Sequence, residues 1–235
     1  MNTSIQAVSF SGLLWAFVPA CIVIVILYRW TVDGRTAVYA LTRMLIQLLL
    51  IGYVLTYIFE AEHAGIIVCV MIVMLGTASW IALRPLKKKQ PHLYRNALGA
   101  IAIGGVSTLV LVSQVVLEVQ PWFFPRYVVP LAGMIFASSM NTVSLAAERF
   151  EAECEKACSY IEARNSALHS SLIPVINSLL AVGLVSLPGM MTGQILSGVS
   201  PLVATKYQIM VMCMIFGSSG ISAVLYLTFA KVRTA

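Results

Sequence analysis

Charge is what this sequence has least of. Lysine, arginine, aspartate and glutamate make up 10% of its 235 residues, where soluble domains carry about 25%. With 60% hydrophobic residues and a mean hydropathy of +0.91, a soluble globular class is excluded. Acid is scarcer than base, nine residues against fifteen. None of the nine falls inside an apolar run long enough to cross a bilayer, which argues against a proton-driven pump or antiporter, since those couple through intramembrane carboxylates. There is no G-x-x-x-x-G-K-[ST] phosphate loop, so the chain does not by itself bind and split ATP in the usual way. A nucleophile elbow and an H-E-x-x-H pair are missing too. The five cysteines are odd in number and three of them, Cys21, Cys69 and Cys213, lie in apolar runs, so no disulfide framework follows. The apolar start, 1–28, lacks a positive beginning and an A-x-A-type exit and reads as a retained first span.

What is present is length of apolar chain. Cutting at charges and helix breakers gives seven runs, 10–28, 38–59, 64–83, 96–117, 127–147, 170–187 and 207–230, each long enough for a hydrocarbon core of about 30 Å. The expected fold class is all-α: a polytopic membrane protein with about seven transmembrane helices, in one domain over 1–235. Lysine and arginine are retained on the cytoplasmic face. With the N-terminus outside and the C-terminus cytoplasmic, thirteen of the fifteen basic residues fall inside and only Arg126 and Lys206 outside. A missed or extra span would scramble that alternation. The net charge of +6 is then a product of topology, with no nucleic acid needed to explain it. The run Lys87, Lys88, Lys89 reads as an anchor near anionic lipid of the bilayer.

Three stretches stand out. Between Arg164 and Lys206 no charge occurs, a run about twice what one crossing needs. Pro188 has no N–H and Gly189 no side chain, so the helix of the sixth run is expected to end near Leu187. Pro188, Gly189 and Gly193 are candidates for a gate beside a pathway, or simply part of an outer connector. The last three runs also hold Ser138, Ser139, Asn141, Thr142 and Ser144; Asn177, Ser178 and Ser186; and Ser218, Ser219 and Ser222. A single serine there serves helix packing, but an asparagine is hard to place against lipid. Asn141 and Asn177, with Ser138 and Thr142, are therefore the candidates for lining a transport pathway. Met190, Met191, Met210, Met212 and Met214 offer thioether ligands or flexible packing, and metal ligands remain unassigned. Finally, 148–162 carries five of the nine acidic residues among strong helix formers. It is expected to form a cytoplasmic helical segment at about 148–168, projecting from the membrane or lying on its face. Phe150, Cys154, Ala157, Cys158 and Ile161 would give it an apolar stripe that needs cover. Cys154 and Cys158 alone are weak evidence for a metal site.

At 43–55 (RMLIQLLLIGYVL), 125–134 (PRYVVPLAGM) and above all 172–212 (LIPVINSLLAVGLVSLPGMMTGQILSGVSPLVATKYQIMVM) the chain resembles the FetB (YbbM) type of membrane subunit. These are permeases of ABC-type exporters linked to iron in bacteria and related to plant aluminium-tolerance proteins. It departs from the family pattern at 133–141, GMIFASSMN. It also departs between Arg164 and Leu172, where roughly fifteen residues of the family's cytoplasmic segment, long against ordinary connections, have no counterpart.

The resemblance implies a transport subunit rather than an enzyme, in a bacterial inner (plasma) membrane. It would be the permease of an ABC-type transporter that exports iron or another metal. It would work as a homodimer with a separate ATP-binding cassette ATPase subunit, which would bind the ATP, so no cofactor is expected in this chain. Coupling to the ATPase falls on Glu151, Glu155, Glu162 and Arg164. A passive channel or facilitator for a small solute or ion is the alternative, and a seven-helix receptor or scaffold a third reading.

Overall fold

The computed structural model of the chain describes residues 9–30, 34–60, 63–86, 91–156 and 159–231, which are helical with short connections. It divides into two units, Met1–Glu60 and Ala61–Ala235. The first holds α1 (Phe10–Ala16), α2 (Val18–Arg29) and α3 (Gly34–Phe59). A proline at the start of α2, lacking an N–H, separates it from α1. At the start of α3 only glycine fits, because a Cβ on Gly34 would lie 2.9 Å from the Tyr28 ring. Trp15, Leu49, Tyr53 and Tyr57 all face outward.

The second unit holds α4 (Ala64–Ala82), α5 (Pro91–Val110, continued by a π-helical turn over Leu111–Val116), α6 (Pro125–Glu155), α7 (Tyr160–Ala181), α8 (Gly189–Leu196) and α9 (Pro201–Lys231). Helices α5, α6 and α9 form its centre, α4 and α7 flank them, and α8 packs on α9. Small side chains make this core: Ala97, Ala100, Ala132, Ala146, Ser218, Ser219 and Ser222 are fully buried. In lipid the hydrophobic drive between helices is lost, and close backbone approach with its dispersion contacts replaces it. A Cβ on Gly104 would lie 2.9 Å from the backbone nitrogen of Ser222, and one on Gly105 3.0 Å from the Phe136 ring. These two glycines let α5 close on α9 and α6 respectively.

Among the described residues six helices are long and apolar enough to cross a membrane: Ser11–Arg29, Gly34–Phe59, Ala64–Ala82, Pro91–Val116, Pro125–Glu155 and Pro201–Ala230. The protein is thus a polytopic all-α membrane protein. The polar opening of α7, YIEARNSALHSS, keeps it out of that set, but its packing takes it through the same depth. Tyr160 Oη at its start donates to the Leu227 carbonyl near the end of α9, 3.0 Å away. Near its other end Ser178 and Val182 share a wall with Gln208 and Val211. From Leu227 back to Gln208 is about 28 Å of helix, so α7 runs antiparallel to α9 as a further passage.

Three details correct the sequence expectations. Helix α7 begins at Tyr160, ten residues before 170, because Ser159 and Glu162 form a capping box that satisfies the first free N–H groups. It ends at Ala181 rather than near Leu187, because Gly183 takes φ +84, a left-handed conformation open chiefly to glycine, and its N–H turns to the Ser186 carbonyl at 2.9 Å. Pro188 instead opens α8 as its N-cap residue, where a missing N–H costs nothing.

The acidic segment is not one arm but two helix ends, α6 stopping at Glu155 and α7 starting at Tyr160. Its stripe is divided: the Phe150 ring packs edge-on against Tyr160 at 6.1 Å, while Cys154 and Ile161 are exposed. Ala157, Cys158 and the lysines 87–89 lie outside the described residues. The two ends are fastened by Glu153, which is buried. Its Oε1 lies 2.6 Å from Arg149 Nη2 and 3.4 Å from Lys156 Nζ. Ser166 Oγ of α7 donates to the same oxygen at 3.4 Å and accepts from Arg149 Nε at 3.2 Å.

Candidate functional site

Helices α6, α7, α8 and α9 line an open cavity of ≈ 550 Å³. From α6 come Met134, Ser138, Asn141, Thr142 and Leu145, one face at three- and four-residue steps. From α7 come Ser171, Pro174, Val175, Ser178 and, just past its end, Val182. Ser186, Pro188 and Met190 close one end, and α9 contributes Gln208, Val211, Met212 and Ile215. Pro174, inside α7, cannot donate to the carbonyl four residues back, which loosens the helix where it walls the cavity.

Most of the hydroxyls already spend their protons on the chain. Ser138 Oγ shares a 2.6 Å bond with Ser219 Oγ, tying α6 to α9. Thr142 donates to the Ser138 carbonyl at 3.1 Å, Ser171 to Leu168 at 2.9 Å and Ser178 to Pro174 at 2.9 Å. Their lone pairs remain as acceptors. The two carboxamides differ. Gln208 is buried at 6% exposure and Asn141 is open on the cavity wall. Neither takes part in a hydrogen bond with the described residues. Burying an amide without a partner is costly, so Gln208 is the group a polar guest would satisfy, with the open Asn141 within reach on the same wall.

Of the residues singled out from sequence, Ser138, Asn141, Thr142 and Pro188 line this cavity and Asn177 does not. Asn177 lies on the exposed side of α7 with Ile173, Ile176 and Leu180; its neighbour Ser178, 100° round the helix and also exposed, borders the cavity instead. Gly189 and Gly193 are off the wall, with open space where a Cβ would stand, so no close approach requires glycine there. Gln208 was missed. It lies at the first turn of the seventh apolar run, where a glutamine looks interfacial; the signal was its spacing from Met212 and Ile215 on one face.

The four coupling candidates gather at the other end of α6 and α7. Asn141 and Glu151 are ten residues apart, about 15 Å along α6. Glu151 is half-buried beside Tyr226 and Cys154, Glu155 and Glu162 are exposed, and the Arg164 guanidinium lies 5.9 Å from the Tyr160 ring centre and donates to Asn165 Oδ1. Glu162 accepts from Ser159 Oγ at 2.8 Å and from its N–H at 3.1 Å. The hydroxyl bond first, then the N–H bond, hold this carboxyl below its ordinary value against a smaller opposing effect of burial. Among the described residues no group of three or more His, Cys, Asp or Glu is placed to hold a metal ion.

Fold and cavity together define an integral membrane protein of the polytopic helical class, with an uncharged, largely apolar cavity carrying a few polar groups among its last four helices. The chain belongs to the family described as Uncharacterised protein family (UPF0014), whose model matches residues 10–234. It is 34% identical over 219 residues to the "Probable iron export permease protein FetB" of Escherichia coli, covering 84% of this chain and 81% of that protein. It is 33% identical over 199 residues to the UPF0014 membrane protein slr1647 of Synechocystis (77% and 76% covered), and 32% identical over 202 residues to the protein ALUMINUM SENSITIVE 3 of Arabidopsis thaliana (80% and 72%). No solved structure matches the chain.

Proposed function

We propose that this chain is the permease subunit of an ABC-type transporter that exports iron or another metal across a bacterial inner membrane, driven by a separate ATP-binding cassette ATPase. One observation carries the reading: four consecutive elements bring Asn141, Gln208 and their neighbouring hydroxyls to a single cavity, in a chain similar to a protein named as an iron export permease. Polar groups in lipid are costly and gather where a pathway runs.

The drive enters at the α6–α7 junction. Closure of the ATPase pushes on Glu151, Glu155, Glu162 and Arg164, and the Glu153 network makes the two helix ends move as one body. Both helices wall the chamber, so the push reshapes it about 15 Å away. At the far end Pro188 and Met190 close the chamber, and the bare Gly189 and Gly193 give the gate room to move. The working unit is a homodimer: Asn177, exposed among Ile173, Ile176 and Leu180, is a carboxamide that a second copy would shield from lipid.

Purification tests the drive. The chain is expected to carry an ATPase with it from its own cells, and to lose it when Glu151, Glu155 and Glu162 are each changed to Lys. Undiminished association would remove the coupling role, and metal flux in proteoliposomes holding this chain alone would favour a passive facilitator.

A further inference from the structure

We infer that the chamber takes its cargo as an uncharged, hydrogen-bonding complex, a metal chelate whose organic ligands cancel the metal's charge, and not as a bare cation. This rests on reading the chain as a metal permease and names the form in which the metal enters the same chamber.

Size is the first ground. A metal ion with six waters, at about 30 Å³ each, occupies about 180 Å³, a third of the ≈ 550 Å³ available. Chambers of this size hold organic molecules; the usual range is about 300–1,000 Å³.

Charge is the second. Hard cations are held by carboxylates, with carbonyl oxygens and waters filling the shell. No residue lining this chamber is charged, and none is His or Cys. A hydrated di- or trivalent ion would fit but meet no counter-charge to hold it, and shedding its water to bind these neutral oxygens would cost far more than they return. A complex that carries its own counter-charge escapes that cost.

The third ground is the pattern of unmet hydrogen bonds. Gln208, at 6% exposure, and Asn141 each offer a carbonyl and an NH₂ with no partner in the described chain, while Thr142 and Ser178 have lone pairs to spare. Val175 and Val211 supply apolar wall between them. That is a surface for the oxygen-rich rim and flat hydrocarbon face of an organic ligand.

Equilibrium dialysis of the intact chain in lipid nanodiscs, with retained metal counted by mass spectrometry, decides it. The probes are the neutral complexes tris(maltolato)iron(III) and its redox-inert gallium(III) counterpart, against bare Fe²⁺ held reduced. Both neutral complexes are expected to be retained in preference to Fe²⁺. Gln208→Leu, which keeps the volume, should weaken their retention about tenfold, the worth of one or two hydrogen bonds. Asn141→Leu, at an open position that folding does not depend on, should do the same. Gln208→Glu should move the preference toward Fe²⁺. Equal or tighter retention of Fe²⁺ by the unaltered chain, or full retention of the complexes by a folded Asn141→Leu variant, would overturn the inference. ATPase co-purification reads the other end of the molecule, so it can succeed while dialysis fails, or the reverse.

Discussion

Replacing Gly104 by alanine puts a methyl group into the tightest crossing of the bundle. The new Cβ would lie 2.5 Å from Ser222 Oγ, 2.9 Å from Ser222 N and 3.2 Å from Ser222 Cα. The hydroxyl can rotate away, but the backbone nitrogen cannot. Ordinary contact begins at 3.4 Å, so α5 and α9 must separate by at least about 0.5 Å, disturbing a crossing where the small side chains Ala100, Ser218, Ser219 and Ser222 cannot reach to refill the gap. Overpacking of this kind costs about 1–3 kcal/mol, offset by up to about 1 kcal/mol of helix propensity gained. Gly220→Ala is the control: it lies on α9 two residues away, with nothing within 4 Å of its added Cβ, and only the propensity gain applies. Thermal or denaturant unfolding in detergent, followed by tryptophan fluorescence, is expected to rank the proteins Gly220→Ala at or above wild type and Gly104→Ala below it. If Gly104→Ala unfolds with the wild type, the close approach of α5 and α9 is wrong.

The Ser138–Ser219 bond predicts non-additivity. Ser138→Ala leaves the buried Ser219 hydroxyl without its partner and costs about 1–3 kcal/mol, Ser219→Ala leaves the half-buried Ser138 on the cavity wall and costs less, and the double variant should cost less than the sum; additive losses in the same unfolding assay would deny the bond. The capping box predicts a pH dependence at the α6–α7 junction. The Glu162 carboxyl is held below its ordinary value of 4.5, so its contribution is complete above that value and is lost as pH falls through the lower, folded one. Unfolding midpoints should therefore separate wild type from Glu162→Ala at pH 6–7 and converge as acid is added; a gap that widens in acid contradicts the cap.

The passages were legible in the sequence because lipid forces every crossing to be apolar, and only the charges that interrupt the apolar runs need counting. Local chemistry was harder. Gly183 and Pro188 both break helices by composition, and nothing in sequence says that the glycine ends α7 while the proline begins α8; that depends on which N–H groups find partners once the chain packs. The same holds for Ser159, whose capping box splits a segment of good helix formers that reads as one arm. In the chamber, Asn141 was found because an asparagine amid apolar residues on α6 has few places to go. Asn177 was assigned to the same wall on the same logic, and a rotation of 100° gave the place to Ser178. Helix phase is set by neighbours, and a serine beside an asparagine leaves it open. Gln208 was overlooked because its turn of α9 borders a lysine and looks interfacial, whereas α8 covers that end of the helix.

The central claim is that a cavity open to water, with Asn141 and Gln208 on its wall, stands among α6, α7, α8 and α9. Its most direct test is thiol labelling in membranes, with the five native cysteines replaced and single cysteines placed at 141, 208 and 177. A charged methanethiosulfonate reacts with thiolates in water and not with thiols in lipid or in a helix contact. Asn141→Cys and Gln208→Cys are expected to react and Asn177→Cys to stay protected. Protection at 141 and 208 with rapid labelling at 177 would contradict the account.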